Sequence, residues 1–171
     1  MVTPRRVAAW LGVEQHQEKT LYSQPKPGLV YRLAWTESGG TLLPVEVALL
    51  EGSGELILTG SLGEVMKESA QTRPSAGVAI TTALLSAARG VAVHPGHTMT
   101  GEITLTGRIL PVGGIKEKVL AAHRNPFIHV LLPEGNRKDI EELPREVRSA
   151  ITFLFSETIQ DALALLFPPA S

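Results

Sequence analysis

The order of hydrophobic and polar positions divides the chain into strand-like and helix-like stretches. The first strand-like stretches begin after Gly28 and are separated by glycine-containing turns near residues 38–40 and 52–54. Pro44 indicates an edge position or a bulge for the second of them. Together these stretches predict an antiparallel meander. Its three expected strands are residues 29–35, 42–50 and 55–60.

Beyond residue 60, helical and strand-like patterns alternate. Residues 75–89 are rich in Ala and Leu, and Gly90 ends this helix. The fold class is therefore α+β (mixed α/β), with an N-terminal antiparallel meander followed by alternating helices and strands. The other expected helices are residues 64–71, 115–124, 136–143 and 158–167. The other expected strands are residues 98–110 with a turn near Gly107, 127–132 and 151–155.

The first 27 residues differ in character from the rest. Thr3 and Pro4 are typical of a helix start, and Gly12 can end that short helix. The stretch that follows is polar and includes Pro25 and Pro27, which is typical of a linker. We therefore expect residues 1–27 to be a short helix and linker, the stub of an upstream module, and residues 28–171 to be the main domain.

Composition and charge exclude several classes of protein. The chain has 171 residues, 43% of them hydrophobic, and 16 Lys and Arg balance 17 Asp and Glu for a formal net charge of −1. This balance argues against a general nucleic-acid binder. Cysteine is absent, so there is neither a disulfide nor a thiol nucleophile. We expect no membrane span, no signal peptide and no phosphate-binding loop of the P-loop type.

Ser75 is the first candidate for chemistry. It lies in Pro-Ser-Ala-Gly at the start of a long apolar helix, where the N–H groups of the first turn and the helix dipole favour a developing anion. With a base nearby, such a serine can be a nucleophile. The small Ala76 and Gly77 would let a substrate backbone approach. The simpler interpretation, which the local pattern favours, is that Ser75 caps the helix.

Candidate bases fall into two groups. Gly113 and Gly114 open a helix that carries Lys116 and Lys118, and a lysine acts as a base only where its neutral form is favoured. Both lysines flank the apolar side of this helix at similar angles, so periodicity leaves the choice open, and the simpler interpretation makes both solvated. A Ser-His-Asp arrangement also stays open by count. The histidines are His16, His94, His97, His123 and His129.

Several longer motifs are similar to one protein family. They are residues 62–70 (LGEVMKESA), 74–77 (PSAG), 99–107 (MTGEITLTG), 110–118 (LPVGGIKEK), 121–124 (AAHR) and 132–133 (LP). In this order they resemble the proteolytic domain of Lon-type ATP-dependent serine proteases, over about residues 28–167.

The resemblance implies a serine–lysine dyad. The nucleophile of the family falls on Ser75, its general base falls on Lys118, and a threonine that supports the dyad falls on Thr100. The backbone N–H groups of Ser75 and Ala76 are candidates for the oxyanion site. The reaction implied is endoproteolysis of unfolded or damaged proteins. It needs no metal or organic cofactor in this domain, since ATP and Mg are expected only at the ATPase module.

The sequence departs from the family around residues 71–73. The family continues the preceding helix and adds a strand at the substrate groove and a loop ending in Pro-Lys-Asp-Gly, whereas this chain passes almost directly to Pro74. We expect a segment of tens of residues to be missing between Thr72 and Arg73. The explanations are a natural deletion, an engineered one, or a sequence that leaves the segment out. The last is favoured because the motifs on both sides are intact.

The resemblance also implies partners and a compartment. The family's AAA+ ATPase module is not in this chain, and the full-length protein is expected to form a homo-hexameric ring that takes unfolded polypeptides as substrates. Nucleic acid and membrane are not expected partners of this domain. The expected location is the cytoplasm, of bacterial type, with an organelle matrix as the alternative. The alternative function is a catalytically impaired module of the same fold that serves in assembly or partner binding.

Overall fold

The structure is a computed structural model that describes residues 24–36, 39–50 and 75–169. Several expectations lie outside these residues. They are the helix near residue 3, most of the linker, the third strand at 55–60, the helix at 64–71 and the junction between Thr72 and Arg73.

The first two strands form the expected hairpin. Strand β1, Leu29–Thr36, pairs antiparallel with β2, Gly39–Glu46, and Tyr31 lies opposite Pro44. Strand β2 starts earlier and ends earlier than the pattern predicts. Among the described strands it lies at the edge of the sheet, a position that tolerates Pro44, which has no N–H to donate, as expected.

The prediction of strand over residues 98–110, interrupted only by a turn near Gly107, is wrong in part. The structure divides this stretch into β3 (His97–Met99), β4 (Glu102–Ile103) and β5 (Ile109–Leu110). Strands β4 and β5 form a separate antiparallel pair, and the turn near Gly107 is confirmed, with a positive φ of 83° at that glycine. The ladder stops after β3 because the backbone of Gly101 bonds to the start of a helix instead.

Two further described strands belong to the main sheet. Strand β6 is His129–Pro133 and β7 is Thr152–Ser156. The sheet has the order β2-β1-β3-β6-β7, and every pair except β1–β2 is parallel. The carboxyl ends of β3 and β6 therefore lie side by side at one edge of the sheet.

The first two helices carry the candidate residues. Helix α1, Gly77–Arg89, ends at Gly90, whose left-handed backbone (φ 64°) confirms the predicted end. It begins two residues later than predicted. The N-cap position belongs to Ala76, with no capping side chain, so the capping role considered for Ser75 is wrong. Helix α2 is Ile115–His123, close to the prediction.

The C-terminal part holds one helix that the pattern misses. The helix expected at residues 136–143 is a 3₁₀ helix, Glu134–Glu142, and it is followed by an unforeseen short helix α3, Arg145–Ala150. Helix α4, Ile159–Leu166, begins at Thr158, whose hydroxyl accepts a hydrogen bond from the Asp161 N–H at 3.2 Å. This N-cap is the conventional kind.

The sheet is covered on both faces. Strand residues alternate between two apolar clusters, so Val130 and Leu132 of β6 enter one and Leu131 enters the other. The first cluster includes α2 and α3, and the second includes α1 and α4. The mixed α/β class is confirmed. Within the described ranges, no helix is long and apolar enough to cross a membrane.

Candidate active site

Ser75 lies buried just before α1, with 1% of its surface exposed. Its carbonyl accepts a hydrogen bond from the Gly101 N–H at 3.1 Å, and the Gly101 carbonyl accepts one from the Val78 N–H at 3.2 Å. These two bonds hold the entry to the helix against the residue that follows Thr100.

The small residue Gly77 is needed by the fold itself. A Cβ atom at this position would lie 2.6 Å from the Cγ2 atom of Ile103 and 2.9 Å from its backbone nitrogen. Strand β4 therefore occupies the space that the sequence pattern suggested for a substrate backbone. The close approach of β4 fixes the height of α1, and with it the position of Ser75.

Thr100 stands at the carboxyl end of β3 and is completely buried. Its N–H donates to the Leu131 carbonyl of β6 at 3.2 Å, which continues the parallel pairing by one residue. Its hydroxyl donates a long hydrogen bond of 3.5 Å to the Ser75 carbonyl. These hydrogen bonds thus fix Thr100 both to the sheet and to the start of α1.

Lys118 is buried on the inner side of α2, with 2% of its surface exposed, whereas Lys116 is exposed. The Nζ atom of Lys118 donates to the Thr100 Oγ1 atom at 3.2 Å. The structure therefore distinguishes the two lysines, whereas periodicity left the choice between them open. Burying an amine among apolar groups costs free energy unless it is hydrogen-bonded, so Lys118 lies where an interior polar site is assembled.

The rotation of α2 is set by its contact with β2. A Cβ atom at Gly40 would lie within 1.9 Å of the Glu117 carbonyl oxygen, so only glycine lets strand and helix meet this closely. The Gly40 carbonyl also accepts a hydrogen bond from the Arg124 side chain at 3.0 Å. This contact turns Lys118 inward and leaves Lys116 on the outer side.

Three predicted residues, Ser75, Thr100 and Lys118, therefore meet in one buried cluster at the carboxyl edge of the sheet. The Thr100 hydroxyl accepts a hydrogen bond from the Lys118 amine and donates one to the Ser75 backbone. A hydroxyl that uses both capacities in this way orients the amine and the serine segment relative to each other. Such an arrangement can place an amine beside a serine.

Three of the four described histidines gather elsewhere, His123 lies at the end of α2, and His16 lies outside the described residues. The ring of His97 stacks on that of His129 with centroids 4.4 Å apart and lies 5.6 Å from His94. They lie at the amino ends of β3 and β6, the opposite edge from Thr100. An open cavity of about 410 Å³ adjoins His94 and His97, and its described lining includes none of the three clustered residues. The cavity does not mark the serine cluster.

The environment of His97 favours its neutral form. Burial lowers the pKa of this imidazole from 6.5, and the neighbouring rings of His129 and His94 lower it further. The Nδ1 atom donates to the Pro95 carbonyl at 3.0 Å, which opposes the shift, since this carbonyl can only accept. Desolvation is the largest of these effects.

The described acidic side chains include one buried carboxylate oxygen without a hydrogen-bond partner, and they form no metal site. The Oε2 atom of Glu102, next to Gly101, is buried and has no hydrogen-bond partner in the described part of the chain. In residues 24–36, 39–50 and 75–169, no three His, Asp or Glu side chains are placed to hold a metal ion. That the hydrolysis needs no cofactor stays a prediction.

Two residues around the cluster were not foreseen. Asn136 bonds through its side chain to the backbone of Val112, and Trp35 packs against Gly114. An Asn directly after a Gly is typical of a turn, so no sequence signal assigned Asn136 to a loop 24 residues earlier. Trp35 lies at the end of a strand, and its partner depends on how the hairpin meets α2.

Comparison with known families decides the family of this fold. The family model described as the Lon protease (S16) C-terminal proteolytic domain matches residues 1–73 and residues 71–168. The chain belongs to this family. The resemblance drawn from the motifs is therefore confirmed, and the chain is a protease domain of the S16 type.

Curated relatives of this Lon domain are numerous. The chain is 41% identical over 197 residues to the Lon protease of Fervidobacterium nodosum, covering 95% of this chain and 24% of the relative. It is 42% identical over 195 residues to the Lon protease of Dictyoglomus thermophilum, covering 93% of this chain and 25% of the relative. The chain thus spans about a quarter of the length of the curated relatives it matches.

The alignments with these relatives are longer than the chain. The alignment to the Lon protease of Fervidobacterium nodosum extends over 197 residues, and this chain has 171. The relative therefore has residues with no counterpart here. The family match passes from its first piece to its second at residues 71–73.

Proposed function

We propose that this Lon domain is a serine endopeptidase in which Ser75 is the nucleophile and Lys118 is the general base. The observation that carries the proposal is the Thr100 hydroxyl, which links the Lys118 amine to the Ser75 segment inside one buried cluster. A serine is a weak nucleophile unless a base is held beside it, and this cluster supplies one.

The reaction follows from the chemistry of the two side chains. Neutral Lys118 accepts the proton of the Ser75 hydroxyl while the Ser75 Oγ atom attacks the peptide carbonyl carbon. The tetrahedral species collapses to an acyl-enzyme, and the leaving amine takes the proton from the Lys118 ammonium. Water then attacks the ester with Lys118 again as base, which releases the acid and restores Ser75. Burial supports this cycle, because it disfavours the charged form of an amine.

The oxyanion requires N–H donors near the Ser75 oxygen. The Val78 N–H already donates to the Gly101 carbonyl, so this amide is occupied. The backbone N–H groups of Ser75 and Ala76 are our candidates, because they lie at the positive end of α1.

The wider function belongs to the whole protein. We propose that the domain hydrolyses unfolded or damaged polypeptides for protein quality control, fed by an AAA+ ATPase module in a homo-hexameric ring in the cytoplasm. ATP and Mg would act only at that module. The support is the family membership and the name Lon protease given to the relatives, of which this chain matches about a quarter.

A catalytically impaired module is the second candidate. We infer that a segment is missing between Thr72 and Arg73, and two observations support this. The alignment to the Fervidobacterium nodosum relative is longer than the chain, and the family match divides at residues 71–73. A gap this close to Ser75 favours reduced turnover and a role in assembly or partner binding.

Hydrolysis of an unstructured substrate tests the first candidate. The 171-residue chain, Ser75→Ala and Lys118→Ala are compared on casein, with circular dichroism to establish that each is folded. The proposal predicts turnover by the parent chain and none by either variant. Equal turnover in all three contradicts it, and a folded but inactive parent favours the second candidate.

A further inference from the structure

We propose that Asn136 is a positioning residue for Lys118, one that fixes the loop from which the lysine-bearing helix starts. The inference rests on the proposed function for the role of Lys118 as a base. It goes beyond that function because Asn136 belongs to neither the dyad nor its threonine.

Two hydrogen bonds of the Asn136 side chain go to the backbone of one residue, Val112. With 3% of its surface exposed, Asn136 accepts a hydrogen bond from the Val112 N–H through Oδ1 at 2.9 Å and donates one from Nδ2 to the Val112 carbonyl at 2.9 Å. This is the pairing that one strand residue makes with another. Val112 therefore gains the backbone partners of a sheet although it lies in a loop.

The orientation of the Asn136 amide is itself held. Its Nδ2 group donates a further hydrogen bond of 2.6 Å to a carboxylate oxygen of Asp139. A carboxylate accepts and does not donate, so an amide turned the other way would lose this bond and oppose its oxygen to the Val112 carbonyl. Asp139 thus selects the amide orientation that pairs with Val112.

The loop carries this restraint to Lys118. Gly113 and Gly114 follow Val112, and two glycines give a backbone with wide freedom unless it is anchored. Gly114 has a left-handed backbone (φ 68°) and serves as the N-cap of α2, with no side-chain cap. Its carbonyl accepts the Lys118 N–H at 3.1 Å, so the position of Gly114 sets the first turn beneath Lys118.

Two kinds of contact restrain the loop. The ring of Trp35 lies so close to Gly114 that an added Cβ atom would be 3.1 Å from the Trp35 Cδ1 atom. Trp35 restrains the loop by packing at Gly114, and Asn136 restrains it by hydrogen bonds to Val112. Removing Asn136 removes the hydrogen-bond restraint.

The restraint from Asn136 bears on catalysis, because Thr100 and Asn136 are both connected to strand β6. Thr100 bonds through its N–H to Leu131 of β6, and Asn136 follows the end of that strand. Asn136 therefore fixes α2 relative to the strand that also fixes the Thr100 hydroxyl. A shift of the loop alters the 3.2 Å contact between Lys118 and Thr100, and catalysis is sensitive to displacements of this size.

Two substitutions test the proposal. Asn136→Leu removes both bonds to Val112, and Asn136→Asp keeps the acceptor for the Val112 N–H but loses the donor. Asn125→Leu is the matched control, because its amide bonds to the Ala121 carbonyl at the other end of the same helix at 2.8 Å. The measurements are kcat and KM on an unstructured substrate across pH, with the thermal midpoint of each variant.

For Asn136→Leu we expect kcat to fall roughly 10- to 100-fold with KM little changed. Asn136→Asp, which sets an oxygen against the Val112 carbonyl and the Asp139 carboxylate, should also lower kcat. The acid limb of the pH profile of kcat/KM should move in both variants, and Asn125→Leu should match the parent chain. A thermal midpoint that falls while kcat and the pH profile stay at parent values overturns the proposal, since the role would then be structural alone.

Hydrogen exchange separates this inference from the proposed function and needs no turnover. In Asn136→Asp we expect faster exchange at the amides of residues 112–120 than in the parent chain, with residues 78–89 of α1 unchanged. If the parent chain has no turnover but this difference is found, the positioning of α2 stands and the assignment of Lys118 as base falls. Unchanged exchange at residues 112–120 overturns the positioning role.

Discussion

The Lys118 amine donates a hydrogen bond to the Thr100 hydroxyl at 3.2 Å, and both side chains are buried. The threonine is thus the orienting group of the amine. Thr100→Val keeps the shape and removes the hydroxyl, so we expect kcat to fall at least roughly 10-fold, the scale of a lost interaction in a base-orienting contact. Thr100→Ser, which retains the hydroxyl, should recover most of it.

Thr98→Val is the control for this substitution. Thr98 is equally buried in β3, and its hydroxyl donates to the Tyr31 carbonyl at 2.9 Å rather than touching the dyad. We expect it to lower the free energy of unfolding by about 1 kcal/mol and to leave kcat at the parent value. An equal loss of kcat in the two valine variants would mean that Thr100 acts through folding only.

A substitution at Gly77 tests how the position of Ser75 is fixed. Gly77→Ala places a Cβ atom 2.6 Å from the Ile103 side chain, so helix α1 and β4 must separate. We expect a loss of about 1–3 kcal/mol in the free energy of unfolding, measured with urea, and reduced turnover in the fraction that stays folded. Adding Ile103→Ala should restore part of both. No recovery in the double variant would contradict a steric cause.

The burial of the His97 imidazole predicts that the free energy of unfolding depends on pH. Because burial lowers the pKa of its imidazole below 6.5, the unfolded chain binds more protons at this position than the folded chain. Stability should therefore fall as pH drops through about 6.5 towards the folded-state pKa and level off below it. His97→Gln should flatten this part of the curve in urea unfolding, whereas Thr98→Val, which changes no titratable group, should shift the curve without flattening it. Parallel curves for His97→Gln and the parent would refute the prediction.

The inferred gap before Ser75 predicts a gain of function. Inserting the corresponding segment of the Fervidobacterium nodosum relative between Thr72 and Arg73 should raise turnover of an unstructured substrate, because it supplies the strand and loop expected beside the nucleophile. The same insertion in Ser75→Ala should stay inactive. Turnover that does not change on insertion would contradict a role of this segment in catalysis.

Local signals predicted the parts of the fold that depend on single residues. Gly90 ended α1 where a left-handed glycine was expected, and Pro44 fell on the outermost of the described strands. The failures have tertiary causes. The strand over 98–110 was broken at Gly101, because its backbone pairs with Ser75 and Val78.

The candidate site shows the same limit. Periodicity could not choose between Lys116 and Lys118, since both flank the apolar side of α2, and the contact of Gly40 with Glu117 decides the rotation. The family motifs did assign Lys118, and the structure buries that residue. The role of Asn136 could not be predicted from the sequence, because its partner Val112 is brought to it by the order of the strands.

The central claim is that Ser75 is a nucleophile activated by Lys118. Its most direct test is intact-mass measurement after treatment with a serine-directed acylating reagent, followed by peptide mapping, on the parent chain, Ser75→Ala and Lys118→Ala. We predict one adduct on Ser75 in the parent chain, none in Ser75→Ala and much slower labelling in Lys118→Ala. An adduct that persists in Ser75→Ala, or labelling of Ser75 at the same rate with and without Lys118, would contradict it.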